Sequence, residues 1–443
     1  MTPLDNPRDK ALEILRRTET GAYADILLDQ ARPEFGAQDN AFIRELVYGV
    51  LRNRARLDWS LDHFSERPVG KADQWTRNIL RLGAYQMLFL DRVPVSAAVN
   101  TSTELAKRRG KKPGYVNGLL RTLDRSRGAV AWPGPEDPVK RLSVLYSHPA
   151  WLVRRWEGRF GVETAATLLA ANNCPAPLVI RTNALKTTRD GLKASLESEG
   201  ATAAETEYSP AGLAIKPSVG LSTLTAFREG WFMVQDEAAQ LVSMMLAPHP
   251  GETMLDACAA PGGKATHLAE IMGNQGVLIA LDTDPARLGK IGENIQRLGT
   301  TIVKPVKGDA TRHQEGSFDK ILIDAPCSGL GVLRRHPDGR WNKEEKIVHE
   351  RQLVQQGILD NCAGLLRPGG ALVYATCTTE PEENEDVIAA FLKGKGGEFQ
   401  VEDPRPFLPP AAAGLVDDAG YFRTWPKKPG MDGFFGVRLV RKG

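Results

Sequence analysis

The stretch Asp256–Lys264, which reads DACAAPGGK, decides the fold of the C-terminal half of the chain. It follows the apolar run TML and precedes KATHLAEIMG, whose apolar residues have helical spacing. In an open sheet of parallel strands, the first strand leads into a glycine-rich turn of this kind, where the backbone can approach a bound cofactor. The stretch therefore predicts the first strand, turn and helix of an α/β cofactor-binding domain.

Strand and helix patterns continue to alternate after this turn. The segments are GVLIALD, PARLGKIGENIQRLG, TIVKPVKGD, FDKILIDAP, a long helix within EEKIVHERQLVQQGILDNCAGLL, and ALVYATCT. Such alternation is typical of a doubly wound parallel sheet. We predict a Rossmann-like domain over residues 246–443, closed by strands within Tyr421–Lys428 and GFFGVRLVRK.

The N-terminal part of the chain has a different pattern. From Ala11 to about Arg127, apolar residues recur at three- and four-residue spacing, which predicts an all-α domain over residues 1–130. The proline-rich segment 131–141 is predicted to be a linker. Residues 142–245 mix strands and helices and are predicted to form a small α+β module. The fold class is therefore multidomain: an all-α domain, an α+β module and an α/β domain.

Composition places the chain among ordinary globular proteins. Its 443 residues are 42% hydrophobic and 25% charged, with a net charge of +3, and no apolar run is long enough for a membrane span. The five cysteines are an odd number and include no C-x-x-C pair, which argues against a disulfide framework and a zinc site. We expect a cytoplasmic protein with no metal and no membrane association.

Positive charge is concentrated in residues 101–130, which contain eight Lys or Arg and two Asp or Glu. Such a stretch can follow a phosphate backbone. A solvated helix and loop that happen to be basic would give the same pattern, so both interpretations remain open.

The cofactor turn is followed by an acidic residue, Asp282, at the end of the next predicted strand. A carboxylate at that position can bind ribose hydroxyls of either NAD or S-adenosylmethionine. The turn lacks the G-x-G-x-x-G spacing that seats a pyrophosphate, which favours S-adenosylmethionine. Asp309, after the third strand, is suited to accept a hydrogen bond from the adenine amino group, although a helix N-cap is the alternative. We also include Arg287 among the cofactor contacts.

Two cysteines follow adjacent predicted strands, Cys327 in DAPCSG and Cys377 in ATCT. Carbon 5 of cytosine is a poor nucleophile, and a thiolate that adds to carbon 6 activates it. Asp324 is the candidate that stabilises the charged ring, and Cys327 is a candidate base for removing the carbon 5 proton. Which cysteine attacks is not decided by spacing. Cys174 and Cys362 are interpreted as small buried hydrophobic residues.

The motifs DACAAPGGKATH, ALDTD, KGDA, DAPCSGLGVLRRHPD and ATCT followed by EENE resemble the RNA cytosine-5 methyltransferase family of the Sun/Fmu/NOL1/NOP2 type. The resemblance implies that Cys377 is the nucleophile and that Cys327 assists product release. Lys264 is implied to face both cofactor and target base. The implied S-adenosylmethionine contacts are Cys258, Ala259, Ala260, Pro261, Gly262, Gly263, Lys264, Asp282, Asp309 and Asp324. Ala375 and Thr378 stand where that family often has serine, with little expected consequence.

The segments AFIRELVYGVLRNRARLD, VPVSAAVNTSTELAKRRG and YVNGLLRTLDR resemble the NusB-type helical RNA-binding domain. Fusion of that domain to this catalytic unit is the arrangement of the bacterial RsmB group. The resemblance implies small-subunit (16S) ribosomal RNA as the partner and substrate, and no obligate protein partner is evident.

Three alternatives remain open from the sequence. The same chemistry could act on transfer RNA, which only substrate assays distinguish. The chain could be a non-enzymatic RNA-binding factor, although the presence of Asp324, Cys327 and Cys377 together argues against it. A nicotinamide-dependent oxidoreductase would need the glycine fingerprint that the turn lacks.

Overall fold

The computed structural model describes residues 6–426 and 430–443. These residues form two units, which we call the helical unit and the sheet unit. The helical unit is Met1–Pro175 with Leu333–Glu345, and the sheet unit is Ala176–Val332 with Lys346–Gly443. The first five residues of the predicted all-α domain, and Lys427 and Lys428 of the predicted closing strands, lie outside the described residues.

The described residues of the helical unit up to Asn172 form mainly α-helices. The helices are α1 (Pro7–Thr18), α2 (Ala24–Ala31), α3 (Ala37–Asp62), α4 (Gln74–Phe89), α5 (Val95–Arg108), α6 (Pro113–Ser126), α7 (Pro138–Leu145), α8 (Ala150–Phe160) and α9 (Val162–Asn172). Asn6 caps α1 and Asp73 caps α4, each accepting from amides of the first turn. Gly83 lets α4 approach its neighbours, since a Cβ there would lie 2.6 Å from Cδ1 of Leu120.

The helical unit extends past the predicted domain boundary. Helices α7, α8 and α9 belong to it, so the predicted linker 131–141 overlaps the start of α7 and the predicted module 142–245 begins within helices. Pro138, interpreted as part of a break, is the first residue of α7. The first helical position tolerates proline because its amide needs no partner within the helix.

The segment Leu333–Glu345 also belongs to the helical unit. Arg340 in this segment is fully buried and donates to the carbonyl oxygens of Ser147 and Asn172, both at 3.1 Å. Its third contact is Oδ1 of Asn173, at 2.7 Å. The indole of Trp341 donates to the carbonyl of Leu51 at 2.7 Å. No sequence pattern indicates this association, because the segment continues directly from the Cys327 loop.

The sheet unit starts with a small α+β module. Its elements are β1 (Leu178–Thr182), α10 (Arg189–Ser198), β2 (Thr202–Glu205), β3 (Gly212–Lys216), α11 (Thr225–Arg228), β4 (Phe232–Val234) and α12 (Glu237–Met245). The described strands pair antiparallel in the order β2-β3-β1-β4. The TAAE sequence of β2 lies mostly exposed at the sheet edge and lacks an apolar face, so the sequence contains no strand pattern there.

A larger sheet follows, with helices between its strands. The elements are β5 (Thr253–Asp256), α13 (Gly263–Ile271), β6 (Val277–Asp282), α14 (Pro285–Leu298), β7 (Val303–Lys307), β8 (Phe318–Asp324), α15 (Lys346–Leu365), β9 (Leu366–Thr376), α16 (Glu385–Lys395), β10 (Phe399–Glu402), β11 (Tyr421–Arg423) and β12 (Phe435–Arg441). Among the described residues the strand order is β10-β12-β9-β8-β5-β6-β7, with β11 beside β12.

The strands β5 to β9 run parallel, which confirms the predicted alternation of strands and helices. The C-terminal strand β12 pairs antiparallel with β9, β10 and β11, so the complete sheet is mixed. The strands β5 and β8 lie in the middle of the sheet and are mostly buried, although β8 also contains Asp319 and Lys320. Among the described helices, none combines the length and apolar composition needed to cross a lipid bilayer.

Candidate active site

The carboxyl ends of β5, β6, β8 and β9 meet along one side of the sheet, which we call the substrate edge. Asp256, Asp282 and Asp324 end the first three of these strands, and Cys377 directly follows the fourth. Parallel pairing brings Asp324 opposite Ala375, two residues before Cys377. Ligands of open α/β sheets bind at this edge, so topology alone places these side chains together.

The sulfur atoms of Cys327 and Cys377 lie 3.1 Å apart. Both residues are half-buried, and both thiols are free. The hydrogen bond with Cys377, followed by burial, raises the pKa of Cys327 well above the ordinary value of a thiol. The hydrogen bond and burial therefore stabilise the protonated form of the Cys327 thiol.

Lys264 and Asp324 form an ion pair next to the cysteines, with Nζ 2.7 Å from Oδ2. Burial lowers the pKa of Lys264, but the Asp324 carboxylate more than offsets burial and the pKa lies above its ordinary value. Negative charge on Cys377 contributes to the same increase, so the ammonium group is close enough to stabilise a thiolate there. The Nζ atom also lies 5.4 Å from the ring centroid of Phe434.

The cofactor turn is held in a defined shape. Gly262 has φ +97°, and a Cβ at this residue would contact Cγ2 of Ile291 at 3.3 Å, so the turn requires glycine. Asp282 is buried and accepts from the amide of Ala260 at 3.2 Å. Arg287 stabilises the same turn. Its guanidinium donates to the carbonyl of Ala260 at 2.7 Å, and a guanidinium nitrogen lies 3.5 Å from Oδ2 of Asp282.

The remaining predicted cofactor residues have different surroundings. Cys258 faces the interior, where burial and then Asp256 raise the pKa of its thiol. Asp309 is exposed, and its Oδ1 accepts from the amide and hydroxyl of Thr311 at 2.9 and 2.7 Å. That contact is the cap-like alternative considered from the sequence. It leaves the second carboxylate oxygen available, so the adenine contact stays a prediction.

Charge at this edge fits S-adenosylmethionine. That cofactor carries a positive sulfonium and an amino group, and two carboxylates, Asp282 and Asp324, end adjoining strands. The third acidic residue at this edge, Asp256, is buried and contributes less negative charge. Burial, reinforced by Asp324, raises the pKa of Asp256 to about 7. The turn has no arrangement of glycines for a pyrophosphate, consistent with the choice made from the sequence.

In the described ranges, no group of three or more His, Cys, Asp or Glu side chains is arranged to hold a metal ion.

Sequence reasoning missed Arg181, which supports the cofactor turn from the α+β module. This arginine is fully buried on β1, pairs with Glu270 at 2.6 Å and donates to the carbonyl of Gly263 at 2.6 Å. An arginine within the apolar strand PLVIRTN was the available signal, because a buried charge requires a partner. The partner residues lie more than 80 positions away, so the pattern alone could not identify them.

The helical unit contains an open cleft of about 1090 Å³ between the loop before α4 and the loop before α6. We call it the basic cleft, because the cations Arg67, Lys71, Lys111 and Lys112 line it against the two acidic residues Glu66 and Asp73; Lys111 pairs with Asp73 at 3.1 Å. Tyr115 adds an aromatic ring that is 38% exposed. Other residues of the predicted basic stretch are also neutralised locally. Lys107 pairs with Glu104, and Arg109 pairs with Asp9 and lies over the ring of Trp75.

Comparison with protein families matches almost the whole chain. A family model described as 16S rRNA methyltransferase RsmB/F matches residues 243–440. The NusB family matches residues 5–125, and a ferredoxin-like domain of RsmF/B-like methyltransferases matches residues 148–221. These matches confirm the predicted fold class, with a NusB-like helical domain, a small α+β module and a methyltransferase domain.

Individual proteins give the same result. The chain is 38% identical to the probable ribosomal RNA small subunit methyltransferase B of Bacillus subtilis, over 98% of this chain and 99% of that protein. It is 34% identical to ribosomal RNA small subunit methyltransferase B of Salmonella newport, with both chains fully covered.

Two solved structures are similar as well. The crystal structure of PH0851 aligns with a TM-score of 0.82 and 29% identity, and the alignment covers 98% of each chain. The crystal structure of NSun6 from Pyrococcus horikoshii with SFG aligns with a TM-score of 0.59 and 25% identity, and the alignment covers 67% of this chain and 98% of the NSun6 chain. The sequence matches extend along the full chain, and the residues of the substrate edge lie within the matching methyltransferase domain. The protein thus belongs to the ribosomal RNA small subunit methyltransferase B family.

Proposed function

We propose that this protein transfers a methyl group from S-adenosylmethionine to carbon 5 of a cytosine in small-subunit ribosomal RNA, through a covalent bond between Cys377 and carbon 6. The observation that carries the proposal is the pair of sulfur atoms 3.1 Å apart beside the Lys264–Asp324 ion pair. A methyltransferase acting on an exocyclic amine needs no thiol, whereas methylation of carbon 5 of cytosine requires a nucleophile such as a thiolate to activate the ring.

Support for the cofactor and the substrate class comes from relatives. The proteins with 34–38% identity are named as ribosomal RNA small subunit methyltransferases. The similar NSun6 structure contains SFG, an analogue of S-adenosylmethionine. The NusB family match in the helical unit supports RNA as the partner.

The chain's own residues account for attack on the ring. Lys264 stabilises the thiolate of Cys377, whose sulfur forms a bond to carbon 6 of cytosine while the carbon 5–carbon 6 double-bond electrons move towards carbon 5. In this proposal Asp324 faces the ring's N3 and amino edge. The proton that Cys377 loses passes to Asp324, and the resulting carboxyl group donates to N3 and stabilises the negative charge that develops on the ring. When bound, S-adenosylmethionine supplies the electrophilic methyl group that carbon 5 takes up.

Release of the product requires loss of the carbon 5 proton, which we assign to Cys327. In the free enzyme its hydrogen bond to Cys377 is the largest cause of its raised pKa. A bond between Cys377 and the ring removes that contribution, while burial continues to raise the pKa. The pKa of Cys327 therefore falls once the adduct exists, and in this proposal its thiolate, formed by loss of the proton to solvent, acts as the base. Transfer of the carbon 5 proton to Cys327 restores the double bond and expels the Cys377 thiolate.

The proposal is tested by methyl transfer from labelled S-adenosylmethionine into a protein-free small-subunit ribosomal RNA transcript, with the product nucleoside identified by mass spectrometry. We expect labelled 5-methylcytidine. A product found only with transfer RNA would preserve the chemistry and overturn the substrate. The absence of a product with both RNAs would overturn the enzymatic proposal and favour a non-enzymatic RNA-binding factor.

A further inference from the structure

A carboxylate that the mechanism does not use lies buried behind the two cysteines. Glu383 follows β9 within the short turn Pro381–Glu383, and none of its side chain is exposed. Burial raises its pKa above the ordinary value of a glutamate. A carboxylate is costly to bury unless hydrogen-bond donors satisfy it, so its contacts indicate what it holds in place.

Two donors converge on one oxygen of this carboxylate. Oε2 of Glu383 accepts from the backbone amide of Ser328 at 2.7 Å and from Nε2 of Gln355 at 3.0 Å. The same Nε2 of Gln355 donates to the carbonyl of Pro326 at 3.1 Å. Pro326 and Ser328 flank Cys327, so the Glu383–Gln355 pair fixes the backbone on both sides of that cysteine.

Further bonds connect this assembly to the Cys377 side. The hydroxyls of Ser328 and Thr378 are 2.8 Å apart, which ties the residue after Cys327 to the residue after Cys377. Tyr374 on β9 donates from its hydroxyl to the carbonyl of Glu383 at 2.6 Å, which anchors the turn itself. A buried hydrogen-bond network that includes Glu383 therefore joins the backbones that carry the two cysteines, whose sulfurs lie 3.1 Å apart.

We propose that Glu383 is a positioning residue for product release: it keeps the Cys327 loop in register with Cys377, so that Cys327 reaches the carbon 5 proton of the adduct. This inference rests on the function proposed above. Attack by Cys377 does not need Cys327 in place, whereas release does. Loosening the Cys327 loop should then slow the second half of the reaction while the first half continues.

The test is Glu383→Gln, which keeps the shape and removes the charge that strengthens both hydrogen bonds. We expect turnover to fall about 10- to 100-fold, as for removal of a charge-assisted bond. The KM for S-adenosylmethionine should stay unchanged. A covalent protein–RNA adduct should accumulate on a denaturing gel, a readout that a purely structural role would not produce.

Glu385→Gln is the matched control, because Glu385 lies two residues further along and pairs with Arg423. It should form 5-methylcytidine at the wild-type rate without accumulating adduct. If Glu383→Gln does not fold, Gln355→Met provides the second test, since it removes the donor to both Glu383 and Pro326. Adduct accumulation in either variant, with S-adenosylmethionine binding retained, supports the inference.

Wild-type turnover without adduct, or an equal decrease in adduct formation and turnover, would overturn the positioning role while leaving the proposed function intact. If the wild-type protein and Glu385→Gln both fail to make 5-methylcytidine, the proposed function fails and this inference fails with it. The two proposals are therefore distinguished within one assay.

Discussion

The substrate edge of the sheet unit and the basic cleft of the helical unit differ in how their charged groups are held. At the substrate edge, Lys264 and Asp324 pair at 2.7 Å with side chains 11% and 31% exposed. In the basic cleft, Arg67, Lys71 and Lys112 are exposed. The first arrangement fixes one geometry, whereas the second leaves long side chains free to adapt to a flexible backbone.

This difference predicts how each region responds to substitution. Groups that act on the reacting atoms in a fixed geometry act as a unit, so that removal of one eliminates most of the rate. Contacts to phosphates add in small increments, and each neutralised cation changes affinity modestly. The following substitutions test that distinction, beginning with the largest expected effect.

The two cysteines should give opposite results. Cys377→Ala is expected to lower turnover by about 10⁴-fold or more and to form no covalent adduct, because it removes the nucleophile. Cys327→Ala should form the adduct and retain it, which denaturing gels would reveal as a shifted band. The reverse pattern would exchange the two roles. Cys174→Ala is the control, since that cysteine lies in the helical unit.

Removal of the ammonium group at the substrate edge should have the next largest effect. Lys264→Met is expected to slow single-turnover methyl transfer about 10²- to 10³-fold, the usual consequence of removing one electrostatic contact from a preorganised site. Lys290→Met is the control, because Lys290 is exposed on α14 and its ion pair with Glu293 is 3.9 Å long. A Lys264→Met rate within about twofold of wild type would remove this lysine from the mechanism.

The buried carboxylate of Asp256 should make stability depend on pH. The folded protein holds this proton up to about pH 7, while the unfolded chain loses it near pH 4. The folded state thus binds more protons between these values, and its stability should decline as the pH rises from about 4 to about 7. Asp256→Asn should remove the contribution of this group to the decline in stability. The measurement is the difference in Tm between about pH 5 and about pH 8, which should be smaller in the variant than in the wild type. Asp418→Asn, an exposed substitution, should preserve it.

Substitutions in the basic cleft should have the smallest effects. Arg67→Gln with Lys112→Gln is expected to weaken RNA binding several-fold and to reduce the slope of log affinity against log salt by about one for each phosphate interaction that is removed. Lys107→Gln should change the slope less, because Glu104 already pairs with that lysine. Equal slopes for all the variants and wild type would exclude the cleft from RNA binding.

The positions of the substrate-edge residues could be predicted from the sequence, because these residues follow strand ends and the topology of a parallel sheet brings such ends together; their roles stay predictions. Asp282, Asp324 and Cys377 are all located in this way. The supporting residues were not predictable, since Arg181 and Glu383 depend on partners that are distant in sequence. The basic stretch was found, but its neutralisation by Asp9 and Glu104 requires knowledge of helix packing.

The domain boundaries were the least predictable part. A proline-rich segment is compatible with a linker or a helix start, and Pro138 proved to begin α7. Nothing local to residues 333–345 indicates a helical partner, because the buried contacts of Arg340 join it to residues more than 160 positions earlier. Long-range pairing of this kind leaves no periodic signal.

The assignment of Leu333–Glu345 to the helical unit has a consequence for biosynthesis. The ribosome completes α9 long before it translates Arg340. The carbonyls of Ser147 and Asn172 therefore lack this buried donor until Arg340 has been synthesised. The helical unit cannot reach its final structure on the ribosome until this late segment has emerged from the exit tunnel. A fragment that ends at Pro175 would leave those acceptors without the guanidinium, which makes the helical unit dependent on the later part of its own chain.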